Sequence, residues 1–242
     1  MIPLPDGFAL RPIAALIALL LAGLALGGHL AGRRVAPYRA VLAAVLGMAL
    51  FLIAVFFVQV PLQSFSYRLV GNSISPFWLG GHPWFVPLVL AFLAGLCQEA
   101  ARLGAIIAAR RGVSRSSLPL LGAVVGAAVG GIEAAMVLGA IPPTSLHLVS
   151  LAVLERIGAV AFHTGTGALL GLGLARGRAW VAFALALLLH IVIDFFAAAL
   201  SYGIGGLYLT ETIGLVVGLG LYLATLFGSR RSLGRPADAF PA

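Results

Sequence analysis

Charged residues are scarce in this chain. Asp, Glu, Lys and Arg together make up 9% of its 242 residues, against about a quarter of a typical soluble domain. That scarcity excludes a water-soluble globular fold, which needs a polar exterior. Lysine is missing altogether, so all 15 basic residues are arginine. A single cysteine, Cys97, excludes an intrachain disulfide and a cysteine-based zinc knuckle. Set in an apolar run, it reads as a small space-filling residue. Also absent are an H-E-x-x-H helix, a phosphate-cradling glycine loop after a strand and a haem-type cysteine motif. The net charge of +8 does not imply nucleic acid. Its arginines fall between apolar runs and do not form a basic stripe on a soluble face.

What remains is apolar: 62% of residues are hydrophobic and the mean hydropathy is +1.12. Lipid must solvate such a chain. At roughly 20 residues per span, its length allows about seven or eight crossings. Seven apolar runs can be drawn: Pro12–Ala31, Ala40–Val60, Trp84–Ala109, Leu118–Ala140, Leu148–Ala175, Ala179–Ser201 and Leu209–Phe227. The first is longer than the apolar core of a signal peptide and its flank is barely positive, so it reads as a retained helix.

The arginines report orientation. Arg33, Arg34 and Arg39 follow the first run, Arg110, Arg111 and Arg115 the third, Arg176 and Arg178 the fifth, and Arg230, Arg231 and Arg235 the seventh. The alternate loops carry only Arg11 and Arg68. By the positive-inside rule the N-terminus is outside and the C-terminus cytoplasmic. That requires an odd number of spans, which agrees with seven. The longest loop, Pro61 to Pro83, then faces outward. Its Phe65, Tyr67, Phe77 and Trp78, with Trp84 just beyond, suit an interfacial segment lying on the bilayer; substrate gating is the alternative. Glycines at four-residue spacing, Gly122, Gly126 and Gly130 in the fourth run and Gly214 and Gly218 in the seventh, allow close helix approach within lipid. No inverted repeat is visible, which counts against a secondary transporter.

The ionisable residues are gathered inside the runs. Gln98, Glu99 and Arg102 lie in the third, Glu133 in the fourth, Glu155, Arg156 and His163 in the fifth, and His190 and Asp194 in the sixth. Each charge at the bilayer centre costs about 2.5–3.5 kcal/mol, so six unpaired charges would cost roughly 18 kcal/mol. They must face one another. Glu99 and Arg102 are three apart, Arg156 and His163 seven, and His190 and Asp194 four, so each pair shares a helix face. At about 1.5 Å per residue from the cytoplasmic ends, Glu99, His163 and His190 fall at one mid-bilayer depth. Glu133, Glu155 and Asp194 fall nearer the outer side.

Two histidines and carboxylates at one level suit a divalent metal such as zinc, which would supply a hydroxide for peptide hydrolysis. A network that ties helices together, a proton relay or a ligand pocket would use the same residue types. Thr164 and Thr166 read as backbone-satisfying residues and not as nucleophiles. His29, His82 and His147 lie near interfaces, and Glu211 opens the last helix, where it favours the positive dipole end.

These residues resemble a known group. Gln98-Glu99-Ala-Ala-Arg102 resembles the E-x-x-R/K first motif of the PrsW, YhfC and CAAX-protease superfamily of membrane proteins. Gly131-Ile-Glu133-Ala resembles its second motif, Glu155-Arg156 followed by Phe162-His163-Thr-Gly the third, and His190-Ile-Val-Ile-Asp194 the closing H-x-x-x-N/D. The four occur in order between residues 98 and 194, and the YhfC-like branch of intramembrane metalloproteases is the nearest in pattern. Gln98 departs from the glutamate pair that many members carry in the first motif, which removes one candidate base or ligand.

The resemblance implies an all-α polytopic bundle of about seven helices that hydrolyses a peptide bond of a membrane-associated protein. It implies Glu99, His163, His190 and Arg102 as catalytic residues, and Glu99, His163, His190, Asp194 and Glu133 as ligands of a divalent metal, Zn2+. Arg156, Glu155 and Gln98 would support them. CAAX-type members are also read as activating water with Glu and His directly. The APH-1 subunit of γ-secretase, a scaffold in the same superfamily, keeps buried histidines without being a protease, and a small-molecule transporter is a further alternative. The whole chain, 1–242, is expected to be one integral domain of a bacterial cytoplasmic membrane. Residues 84–201 would be its polar-motif core and 230–242 a flexible cytoplasmic tail. Its partners are then the lipid bilayer and a protein or peptide substrate, with no nucleic acid.

Overall fold

The computed structural model describes residues 35–140, 146–203 and 212–224. The first apolar run, the 230–242 tail, His29 and Glu211 lie outside the described residues. Described elements are all helical: α1 (Pro37–Ile53), a π-helical turn (Ala54–Gln59), α2 (Val60–Ser73), α3 (Pro76–Gly81), α4 (Phe85–Ala109), α5 (Leu118–Ala140), α6 (Leu146–Ala175) and α7 (Ala179–Ser201), then α8 (Thr212–Ala224). Five stretches are long and apolar enough to cross a membrane, beginning at Pro37, Phe85, Arg115, Glu155 and Ala179. The protein is an all-α membrane helix bundle.

The helix bounds follow the apolar runs closely for α4 to α7. The outward loop expected from Pro61 to Pro83 is the exception, because the helix that begins at Pro37 continues to Ser73. Proline has no N–H, and its ring collides with the carbonyl four residues back. Here the turn before it widens, and Val60 N–H bonds to Val55 O, five residues back. The widened turn absorbs the clash and Pro61 sits in the first turn of the resumed helix. The 37-residue helix is about 55 Å long at 1.5 Å per residue, well beyond the ~30 Å hydrocarbon core. Its far end therefore projects from the arginine-poor side.

Burial shows which helix is central. In α5 72% of the spanning window is buried, against 17% in α7. α5 packs most extensively on α6, α4 on α7, and α1 on both α4 and α5. Leu121, Val125 and Val129 of α5 are wholly or almost wholly buried, whereas Val41, Leu42, Phe57 and Leu188 turn outward, where lipid would meet them.

Glycine decides how close α5 and α6 come. A Cβ at Gly126 would land on the His163 carbonyl oxygen, and one at Gly122 on the Gly167 carbonyl oxygen. At Gly130 it would stand 2.9 Å from Val160 Cα and 3.2 Å from His163 Cβ. The four-residue glycine row thus lays α5 directly against the backbone that carries His163. Gly126→Ala and Gly167→Ala should each destabilise the protein by about 1–3 kcal/mol, as overfilled sites do. Thermal unfolding in detergent would show this, with Gly220→Ala, which meets open space, unchanged.

Candidate functional site

Glu99 and Arg102 stand one turn apart on α4, and both are fully buried. Arg102 Nη1 donates to Glu99 Oε1 at 2.7 Å and also to Thr166 Oγ1 on α6. Its Nη2 lies 2.6 Å from His163 Nδ1. One guanidinium therefore joins the α4 carboxylate to two side chains of α6. From the other side, His190 Nδ1 on α7 meets the same Glu99 Oε1 at 2.7 Å.

The donor inventory fixes how each histidine is used. A guanidinium has only donors, so His163 Nδ1 accepts and its hydrogen is on Nε2. That nitrogen donates to Glu133 Oε2 of α5 at 2.5 Å. A carboxylate oxygen only accepts, so His190 carries a hydrogen on Nδ1 and donates it to Glu99. Its Nε2 then faces Asp194 Oδ2 at 3.4 Å. The two rings are 5.6 Å apart, with the Phe162 ring edge-on to both. They are held in opposite roles, His163 accepting from the cation and His190 donating to the anion.

The side chains form two layers. Glu99, Arg102 and Thr166 are fully buried, the histidines 2–3% exposed, and the side chains of Glu133 and Asp194 24% and 28% exposed. Each histidine bridges the layers, with Nδ1 toward the buried pair and Nε2 toward an outer carboxylate. Glycine again sets the distance. A Cβ at Gly95 would stand 3.3 Å from His190 Cβ, so α4 and α7 approach closely where His190 meets Glu99.

Glu99, His163 and His190 thus come together with Arg102, Glu133 and Asp194. The other three candidates are placed differently. Glu155 and Arg156 pair with each other on α6, with Arg156 in electrostatic reach of Glu133. Gln98 turns away from the histidines, and its Nε2 donates to Gln59 Oε1 at 3.2 Å.

The zinc expectation can be tested on these donors. Glu99, His163 and His190 do converge, but on the Arg102 guanidinium. His163 Nδ1 and Glu99 Oε1 are both occupied by its N–H groups, and a divalent ion among them would sit against a fixed positive charge. Among the described residues, no group of three His, Cys, Asp or Glu side chains could hold one metal ion. The arrangement does not fit a zinc site.

Gln59 and the second role of Thr166 are absent from the sequence reading. Thr166 does donate to backbone carbonyls of its own helix, at 3.1 and 3.2 Å, and it also accepts from Arg102. Gln59 is the one polar side chain between Arg39 and Gln63, and it is buried. The burial argument that singled out the charges would have singled it out too.

Removing the guanidinium leaves a buried carboxylate uncompensated. Arg102→Leu should cost about 3–5 kcal/mol, and Thr166→Val about 1 kcal/mol, both measured by thermal unfolding in detergent. No family model, no curated protein and no solved structure matches this chain.

Proposed function

We propose that this protein is an intramembrane peptidase in which Glu99 activates water to hydrolyse a peptide bond of a membrane-associated protein. One observation carries the reading. Glu99 Oε1 is pinned by Arg102 and His190, while Oε2 is buried with no hydrogen-bond partner. A buried carboxylate oxygen is an acceptor that calls for a donor. An oriented carboxylate with one open oxygen is the arrangement that general-base catalysis requires. The ordered motifs that resemble those of the YhfC-like branch support the same reading.

The reaction needs no metal in this scheme. Oε2 takes a proton from water as the water oxygen bonds to the scissile carbonyl carbon. The C–N bond then breaks and the amine leaves with the proton that Glu99 held, while the new carboxyl group keeps the water oxygen. Arg102 aims Glu99. His190, held through Nδ1, presents Nε2 toward Asp194 at the partly exposed layer, where it can donate to or accept from substrate. His163 and Glu133 form the facing wall of that layer.

A non-catalytic scaffold is the second reading, favoured by the complete burial of Glu99 and Arg102. Glu99→Gln separates the two. The amide replaces the carboxylate atom for atom but cannot take the proton. Protein reconstituted in liposomes with membrane-anchored peptides should generate new amino termini. Glu99→Gln should reduce their rate by about 100-fold or more, read on protein that thermal unfolding shows to be folded, although the unpaired Arg102 should cost it about 3–5 kcal/mol. No cleavage by the unaltered protein across a broad peptide set would overturn the peptidase reading.

A further inference from the structure

Hydrolysis within a bilayer needs one water for each bond cut, and Glu99 is fully buried. We infer that water reaches Glu99 along the seam between α2 and α4, from a cavity on the arginine-poor side. The inference deepens the hydrolytic reading and rests on it for its purpose, although its geometry stands apart from catalysis.

The mouth is a cavity of about 260 Å3 lined by Tyr67, Val70, Gly71, His82, Val86 and Tyr202, among others. One water needs only about 10–15 Å3, so several fit. Two phenols and an imidazole give them partners. The imidazole is held in place, because the His82 ring stacks on Trp78 at 4.1 Å and its Nδ1 bonds to the Trp78 carbonyl at 2.9 Å.

Below the mouth, two rows of residues at helical spacing face each other. On α4, Val86 lines the cavity, Leu90 is one turn deeper and Gln98 two turns beyond that. On the opposing helix, Tyr67 lines the cavity, Gln63 is one turn deeper and Gln59 one turn beyond. The rows touch at two levels. Gln63 Nε2 donates to Leu90 O at 2.9 Å, and Gln98 Nε2 to Gln59 Oε1 at 3.2 Å. From Val86 to Gln98 is about 18 Å along the helix. Exposure falls along the way: Tyr67 is 59% exposed, Ser66 and Gln63 are half-buried, Gln59 is 9% exposed, Gln98 5% and Glu99 none.

Ser66, Gln63 and Gln59 run down one side of the helix from its projecting end toward the part that the bilayer covers. Each costs free energy in hydrocarbon unless something bonds to it. The π-helical turn brings this stripe round, because a widened turn shifts the angular register of everything after it. At the inner end, Gln98 Oε1 and Glu99 Oε2 are both buried acceptors without a donor from the protein. Water is the small donor that each of these oxygens can accept from.

Cysteine accessibility tests the path without reference to proteolysis. The native Cys97 is buried and is replaced by alanine. Single cysteines are then placed at Gln59 and Gln63 in the seam and at Phe57 and Val60, outward-facing residues near the depth of Gln59. A charged, membrane-impermeant thiosulfonate reagent reacts with thiolates that water can reach. Gln59→Cys and Gln63→Cys should be modified at least about tenfold faster than Phe57→Cys and Val60→Cys. Gly71 lines the mouth, and a Cβ there meets nothing within 4 Å. Gly71→Leu should therefore narrow the cavity without disturbing its neighbours, and slow both seam cysteines. Seam cysteines that react no faster than the lipid-facing pair, or that are indifferent to Gly71→Leu, would overturn the path. Fast labelling without any proteolysis would leave the path standing and remove the peptidase reading. Proteolysis with unlabelled seam cysteines would do the reverse.

Discussion

A guanidinium in the middle of a helix bundle organises the polar centre of this protein. Arg102 cannot give up its charge, so the fold must bring it a carboxylate and enough acceptors to replace water. Glu99, Thr166 and His163 do so from two helices. His190 then ties a third helix to the same carboxylate, and Glu133 a fourth through His163. The polar centre consequently specifies how α4, α5, α6 and α7 meet. The glycines of α5 and α6, with Gly95 on α4, make that meeting possible by removing the side chains that would keep the backbones apart.

The same constraint separates two chemical readings of one set of residues. Glutamate and histidine at a common depth look like metal ligands as long as the arginine is taken to orient Glu99 from outside the donor set. Once Arg102 stands among them, the positive charge of the site is supplied by the protein itself. What is left for chemistry is a carboxylate fixed through one oxygen and open at the other, beside two histidines of opposite hydrogen-bonding sense. That arrangement supports water activation by Glu99 directly.

Much of this was legible in the residues. Apolar run length located α4 to α7 within a residue or two, and the cost of charge in lipid gathered Glu99, Arg102, His163 and His190 before any coordinates. Three things were less plain. The apolar run stops at Val60, whereas the helix passes Pro61 because the turn from Ala54 to Gln59 widens. Gln59 carries no charge, so it drew no attention in a search for ionisable groups. Whether Arg102 would sit beside the cluster or within it depends on how α4 is rotated against α6, which spacing along one helix does not report. The glycine row was visible as a close-approach signal, but that it presses on the backbone of His163 required both helices.

The central claim is that Glu99 delivers water to a peptide bond inside the membrane. Cleavage of a membrane-anchored peptide by the reconstituted protein in oxygen-18 water, followed by mass spectrometry of the fragments, tests it most directly. The account predicts one oxygen-18 atom in the new carboxyl terminus, appearing with the unaltered protein and lost with Glu99→Gln. A fragment that lacks the label, or one that forms equally well with Glu99→Gln, would contradict it.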